Sequence, residues 1–230
     1  MTQRKITIAI DGHSSTGKST AAKQLAQKLG YLYVDTGAMY RAVSFFALSE
    51  NLIHTGKLQE TALKDQLKDI TITFERNPET GSNDVCLNGR NIEKQIRTLE
   101  VSNVVSIVAA VSAVRSKLVE QQQKMGVAKG VVMDGRDIGT VVFPKAELKV
   151  FMTAAAAVRA RRRYEELKDR DDDVSYEDIL ENLNERDRMD STREDSPLVR
   201  ADDALLLDTS HMNREQQFDT LLHWANQELL

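Results

Sequence analysis

Hydrophobic and polar positions alternate along the chain with two different periods. Ile6–Asp11 (ITIAID) is short, apolar and β-branched and halts at a glycine, the pattern of a strand buried on both faces. Lys18–Leu29 consists of good helix formers with Ala21, Leu25 and Leu29 four apart, and Gly30 stands where a helix C-terminus is expected. Tyr31–Asp35 reads as a second strand and Gly37–Leu52 as a second helix. Strands and helices in this alternation predict an α/β fold with parallel strands. Val131–Asp134, Leu148–Thr153 and Leu205–Asp208 are further short buried runs, so five strands are expected in the main sheet. Ala154–Asp173 reads as a charged helix and loop, Ser175–Asp190 as a polar helix and Arg214–Leu229 as a closing amphipathic helix.

Between about Leu58 and Arg97 the period changes. Ile70–Glu75 (ITITFE) alternates like a half-exposed strand. Turn residues Asn77, Pro78 and Gly81 follow, then Val85–Leu87 and the turn-forming pair Asn88-Gly89. Short antiparallel strands here form a small insert outside the main sheet. Arg97–Met125 is helical in pattern. The chain shows neither internal repeat nor low-complexity linker. It is expected to be a single domain, residues 1–230, with an insert region over 37–110 and an arginine-rich helical segment over 154–175.

Composition narrows the classes. Of 230 residues, 41% are hydrophobic and 29% charged, which is globular composition. The net charge of −4 counts against a general nucleic-acid coat, which needs a basic surface. The lone cysteine, Cys86, rules out an intrachain disulfide, and His13, His54, His211 and His223 are too scattered for a His-rich metal cluster. No apolar run approaches the ~20 residues of a membrane span, and the N-terminus lacks a signal-peptide h-region. The expectation is a cytoplasmic globular protein.

The strongest chemical signal is Gly12-His13-Ser14-Ser15-Thr16-Gly17-Lys18-Ser19, which fits G-x-x-x-x-G-K-[ST] without a gap, between the first strand and first helix. The glycines let the backbone wrap a phosphate, and successive N–H groups face inward as an anion nest. The helix starting near Lys18 adds its positive dipole end. Lys18 would reach the β- and γ-phosphates, and Ser19 would offer its hydroxyl to Mg²⁺. The implied ligand is a nucleoside triphosphate, with ATP favoured because no N-K-x-D guanine-reading element is present.

An acceptor that is itself a phosphate calls for arginine forks. Arg41 follows the second strand in Asp35-Thr36-Gly37-Ala38-Met39-Tyr40-Arg41, and Arg136 follows the third buried strand in Asp134-Gly135-Arg136-Asp137. Both stand at the strand ends where open α/β sheets bind ligands. Arg159-Ala160-Arg161-Arg162-Arg163 opens the charged helix, and Arg186–Arg193 closes the next. Each has a plainer reading: a surface arginine, an ordinary turn, a solvated face or RNA contact, and an i,i+4 pair between Arg186 and Asp190.

Together IAIDG…GKST, VDTGAMYR, IRTLEV, VMDGRDIGTVVFP, LKVFMTA, RARRR, ERDRMDSTR and ALLLDTS resemble the bacterial type of cytidylate kinase, nearly end to end. The resemblance implies a three-layer α/β/α P-loop fold with a mainly parallel five-stranded sheet, a small antiparallel monophosphate-binding insert and an arginine-rich lid. It implies phosphoryl transfer from ATP to CMP or dCMP, with Mg²⁺, in pyrimidine nucleotide metabolism. Small-molecule nucleotides would be its partners, with no nucleic acid or membrane, and the chain would act as a monomer. Gly12, His13, Ser14, Ser15, Thr16, Gly17, Lys18, Ser19 and Thr20 would hold ATP, with Arg162 from the lid. Thr36, Tyr40, Arg41, Ser106, Arg115, Arg136, Asp137, Arg186, Asp190 and Arg193 would hold the monophosphate. Lys18, Arg136, Arg159, Arg163 and Arg193 would act on the transferring group, and Ser19 on the metal. His13, Ser15 and Thr16 depart from the proline and glycines of many members, and Ser19 replaces a glycine found in some. Other readings of the same residues are a kinase for UMP or a sugar acid, and a nucleotide-binding regulatory or RNA-associated module using the Arg159–Arg163 run.

Overall fold

The structure is a computed structural model and describes residues 4–78, 83–169 and 174–230. Its elements in chain order are Thr7–Gly12 (β1), Lys18–Leu29 (α1), Leu32–Asp35 (β2), Thr36–Ser49 (α2), Ile53–His54 (β3), Lys57–Leu58 (β4) and Glu60–Gln66 (α3). Then come Ile72–Arg76 (β5), Asn83–Leu87 (β6), Arg90–Asn91 (β7), Leu99–Ala109 (α4) and Ser112–Gly126 (α5). Val131–Gly135 (β8), Leu148–Thr153 (β9), Ala156–Lys168 (α6), Tyr176–Thr192 (α7), Leu205–Asp208 (β10) and Arg214–Leu229 (α8) complete the chain. Two compact units form, Met1–Asp35 with Gln121–Leu230, and Thr36–Glu120.

The first unit holds a five-stranded parallel sheet in the order β10-β9-β1-β8-β2. β1 lies at its centre, flanked on both sides, which explains why every one of its residues is buried. α1 turns Ala21, Ala22, Leu25 and Ala26 inward onto Ile8, Ile10, Val132 and Val150, with α8 adding Leu221 and Ala225 to the same core. Each fully buried aliphatic side chain there stabilises the fold by roughly 1.5–3 kcal/mol. A second, smaller core of Ala160, Leu167, Ile179 and Leu183 joins α6 to α7, so these helices form a hairpin with its own apolar seam. The acidic run expected at Asp169–Asp173 falls mostly on residues 170–173, outside the described residues.

One strand departs from expectation. Leu205–Asp208 reads as buried, but β10 is an edge strand with Leu205 and Leu206 41% and 50% exposed, and only Leu207 enters the core. An apolar run has the same composition at an edge as at the centre; sheet order decides its burial.

The second unit packs α2 and α4 together beside two small antiparallel sheets, β3-β4 and β5-β6-β7. The insert of short antiparallel strands is therefore present; of its expected turn residues, Gly81 lies outside the described residues. The helical pattern over Arg97–Met125 is carried by two helices, α4 and α5, meeting at 97° around Ala110 and Val111. Neither glycine nor proline marks the break. Val111 is buried, and the Arg115 Nη1 donates back to the Ala109 carbonyl at 3.3 Å, satisfying the end of α4. Among the described residues no single helix is long and apolar enough to cross a membrane.

Candidate active site

The loop from Gly12 to Ser19 runs from the end of β1 into α1, at the carboxyl edge of the sheet. Gly12 has φ 146°, and a Cβ there would stand 2.0 Å from the Met152 carbonyl oxygen, so the β1–β9 pairing admits only glycine. Gly17, with φ 95°, caps α1, and a Cβ would meet the Gln217 Oε1 at 2.5 Å. Within the loop, Lys18 Nζ donates to the His13 carbonyl at 2.8 Å and Thr16 Oγ1 to the same oxygen at 3.2 Å. Lys18 is buried; desolvation first, then Arg136 and Arg186, lower it to about 7 against the opposing pull of Asp134 and Asp35. Its ammonium therefore lies in a field of arginines, an arrangement that an arriving polyphosphate would relieve. Thr20, the third residue of α1, is exposed.

Ser19 Oγ donates to Asp134 Oδ2 at 2.7 Å, and Tyr33 Oη donates to Asp134 Oδ1 at 2.9 Å. Burial, then the neighbouring Asp35, raises Asp134, with Lys18, Ser19 and Tyr33 opposing. A hydroxyl and two close carboxylates at the end of buried strands form a hard oxygen donor set of the kind Mg²⁺ takes. Asp134 is absent from the residues expected at the site. Its signal in the sequence is an acid at the end of an apolar strand, in register with the loop.

The Asp134–Asp137 segment is set by a second buried acid. Asp11 Oδ1 and Oδ2 accept from the Ile138 and Gly139 N–H groups, each at 2.7 Å, capping the single π-helical turn Ile138–Val142. Burial pushes Asp11 up to about 7 even against these two bonds. Asp137 is buried at the start of that turn.

Arg136 converges with Arg186 and Asp190 of α7 and with Arg193, which caps its C-terminus. Arg136 Nε donates to Asp190 Oδ2 at 2.9 Å, and Arg193 Nη1 lies 3.8 Å from Asp190 Oδ1. Burial would raise Asp190, but Arg136, Arg186 and Arg193 outweigh it and hold the carboxyl below its ordinary range. Asp190 is thus the hub of three arginines, more than the helical i,i+4 partner of Arg186. Arg186 Nη1 also reaches the Ser14 hydroxyl at 3.4 Å.

On α6, the lid arginines take separate directions. Arg159 is buried; its Nε donates to the Ala154 carbonyl at 2.9 Å, Nη1 to the Ser14 carbonyl at 3.4 Å and Nη2 to Asp187 Oδ2 at 2.6 Å. Arg162 donates from Nη1 to the Thr16 carbonyl at 3.2 Å and from Nη2 to the Thr209 carbonyl at 2.7 Å. Thr209 Oγ1 donates to the same Thr16 oxygen at 2.9 Å, so Arg162 and Thr209 brace the back of the loop. Arg163 Nη1 pairs with Glu166 at 3.0 Å.

In the second unit, Thr36 and Tyr40 lie one turn apart on α2, with Arg41 beside them. The Arg115 guanidinium stands 5.5 Å from the centroid of the Tyr40 ring, a cation–π distance, and Ser106 and Arg115 are both buried.

A Gly-rich loop between a central parallel strand and a helix, with its lysine among arginines, defines a P-loop phosphotransferase fold. Comparison with known proteins narrows this. The family model described as Cytidylate kinase matches residues 8–227. Cytidylate kinases of Flavobacterium johnsoniae and Phocaeicola vulgatus are 60% and 58% identical to this chain, over 97% and 93% of it and the same shares of their own lengths. The chain belongs to the cytidylate kinase family. A crystal structure of an uncharacterized protein from Eubacterium ventriosum shares the fold at a TM-score of 0.51 and 10% identity, covering 97% of this chain and 99% of its own.

Proposed function

We propose that the chain transfers the γ-phosphoryl group of ATP to CMP and dCMP, yielding ADP with CDP or dCDP, in pyrimidine nucleotide metabolism. The observation that carries this reading is the loop that holds Lys18 at the sheet edge, with Arg186 Nη1 3.4 Å from its Ser14 hydroxyl and Arg136 bonded to Asp190 on the same helix, so an arginine group suited to a second phosphate adjoins the donor loop. Family membership supports the choice of cytosine nucleotide.

An oxygen of the CMP phosphate attacks the γ-phosphorus as the bond to the β,γ-bridging oxygen breaks, leaving ADP. The acceptor oxygen is already ionised, so no general base is required. Positioning and charge neutralisation supply the catalysis. Gly12 to Thr20 wrap the ATP phosphates, with Arg162 bracing the loop, and Lys18, Arg159 and Arg163 neutralise charge on the transferred group. Arg41, Arg136 and Arg193 grip the acceptor phosphate, with Thr36 and Tyr40 beside it. Arg186 and Asp190 hold ribose and phosphate. Ser106, Arg115 and Asp137 read the cytosine edge. Mg²⁺, held through Ser19 and Asp134, supplies positive charge to the phosphate oxygens. In domain terms, residues 1–230 are one kinase domain, with 37–110 as monophosphate-binding insert and 154–175 as lid. The protein works as a cytoplasmic monomer without nucleic-acid or membrane partners; its net charge of −4 counts against the nucleic acid.

The test is ADP release with ATP and each of CMP, dCMP, UMP, AMP and GMP. CMP is expected to be the best acceptor and dCMP a good one. Equal rates with UMP, or ADP release independent of any acceptor, would overturn the reading.

A further inference from the structure

Asp187 is left over by the mechanism above, and it meets the side chain of His13 in the phosphate loop. The His13 Nδ1 lies 3.2 Å from Asp187 Oδ1. The other oxygen of the same carboxylate, Oδ2, accepts from Arg159 Nη2 at 2.6 Å. One carboxylate on α7 therefore bonds the buried arginine of α6 with one oxygen and stands against the imidazole of the phosphate loop's second residue with the other. Burial would raise Asp187, but His13 and Arg159 together hold it below the ordinary carboxylate range.

Both partners are themselves tied to the loop. The His13 carbonyl accepts from Lys18 and Thr16, and the Arg159 Nη1 reaches the Ser14 carbonyl. The Phe151 ring meets the His13 imidazole edge-on at 6.2 Å, closing the other side. Arg159 is further pinned by its Nε bond to Ala154. An arginine fork has five N–H groups in one plane. Fixing Nε at one end and Nη2 at the other sets the orientation of that plane, and hence where Nη1 points.

We propose that Asp187 is a positioning residue for phosphoryl transfer: it orients Arg159 toward the phosphate loop and holds the loop, through His13, in register with that arginine. The inference rests on the kinase reading above. Asp187 touches neither phosphate; it acts through Arg159 and His13.

The experiment compares Asp187→Ala, Asp187→Asn and Arg159→Ala, together with the Arg159→Ala/Asp187→Ala double variant, in steady-state kinetics with ATP and CMP. ATP binding is followed separately by calorimetry. Wild-type activity with CMP tests the kinase reading itself, independently of the variants. Asp187→Ala is expected to lower kcat about 30-fold while the KM for CMP and the affinity for ATP change less than about threefold, the pattern of an interaction that matters in the transition state. Asp187→Asn keeps one acceptor and the shape, and should lose about fivefold. In the Arg159→Ala background the Asp187→Ala change should cost less than about threefold more, because its route is already gone. A full additional 30-fold loss in the double variant would overturn the proposal. So would a fall in thermal midpoint with kcat retained. If Asp187→Ala does not fold, the same comparison on Asp187→Asn decides: kcat equal to wild type would refute the role.

Discussion

The phosphate loop and the α6–α7 hairpin both bring positive charge to the carboxyl edge of one sheet, but they are built in opposite ways. The loop is eight contiguous residues whose conformation is set by two glycines and by strand pairing behind them. Its charge is largely backbone N–H and a single lysine. The hairpin collects long side chains from two helices. It orients them by carboxylates, Asp187 for Arg159 and Asp190 for Arg136 and Arg193. The first device is preformed and tolerates little substitution. The second depends on pairs whose partners come from distant parts of the chain, and such pairs fail one at a time.

The largest effect should come from breaking the loop. Lys18→Ala removes the only side-chain cation of the loop and is expected to reduce kcat by about 10³-fold with the fold retained, the scale seen when a preorganised charge donor is deleted. Circular dichroism with turnover measurements checks this, and near-normal activity in a folded variant would refute the loop assignment.

Breaking the hub of the hairpin comes next. Asp190→Ala removes the buried carboxylate that offsets three half-buried arginines, and should raise the KM for CMP about 100-fold and destabilise the protein by about 3 kcal/mol. The pH dependence has a defined sign. Asp187 and Asp190 are both held below their ordinary range, so their stabilisation is present above the unfolded carboxylate pKa near 4 and is lost as pH falls through the folded values. Acid melts of wild type and Asp190→Asn should therefore converge at low pH; parallel curves down to pH 2 would contradict the hub.

A third test moves to the second unit. In the proposed reading Arg115 would donate where cytosine offers its N3 and O2 acceptors, whereas uracil would present an N3–H there. Arg115→Met is expected to reduce the preference for CMP over UMP about tenfold while ATP affinity stays near wild type. An unchanged ratio would remove Arg115 from base reading. The loss of the Ala109 cap requires a thermal melt alongside.

The smallest effect is a proton count. Lys18 is lowered to about 7 in the empty loop, so at pH 8 most of it is neutral; bound phosphates favour the charged form. ATP binding at pH 8 should take up close to one proton, and at pH 6 almost none. Calorimetry in buffers of different ionisation enthalpy measures this directly. Equal uptake at both pH values would show that Lys18 is not lowered in the empty loop.

What the sequence determined by itself was local. The phosphate loop, its strand and its helix were legible because everything they need lies between Ile6 and Gly30, and the five strand runs and antiparallel insert were legible by their period. The arginine-bearing motifs were visible as words, but not as an arrangement. Only the tertiary structure put Tyr33 on Asp134 across 101 residues, and Asp11 on the Ile138 N–H across 127, because the order β10-β9-β1-β8-β2 sets distant strands side by side. It also placed the turn between α4 and α5 at Ala110–Val111, where no breaker residue stands, and exposed Leu205 and Leu206 by assigning their strand to an edge. The physical reason is the same in each case. Periodicity reports which face of an element is apolar, while the partner of that face, and the acid that orients each arginine, is chosen by packing between elements that the chain itself holds far apart.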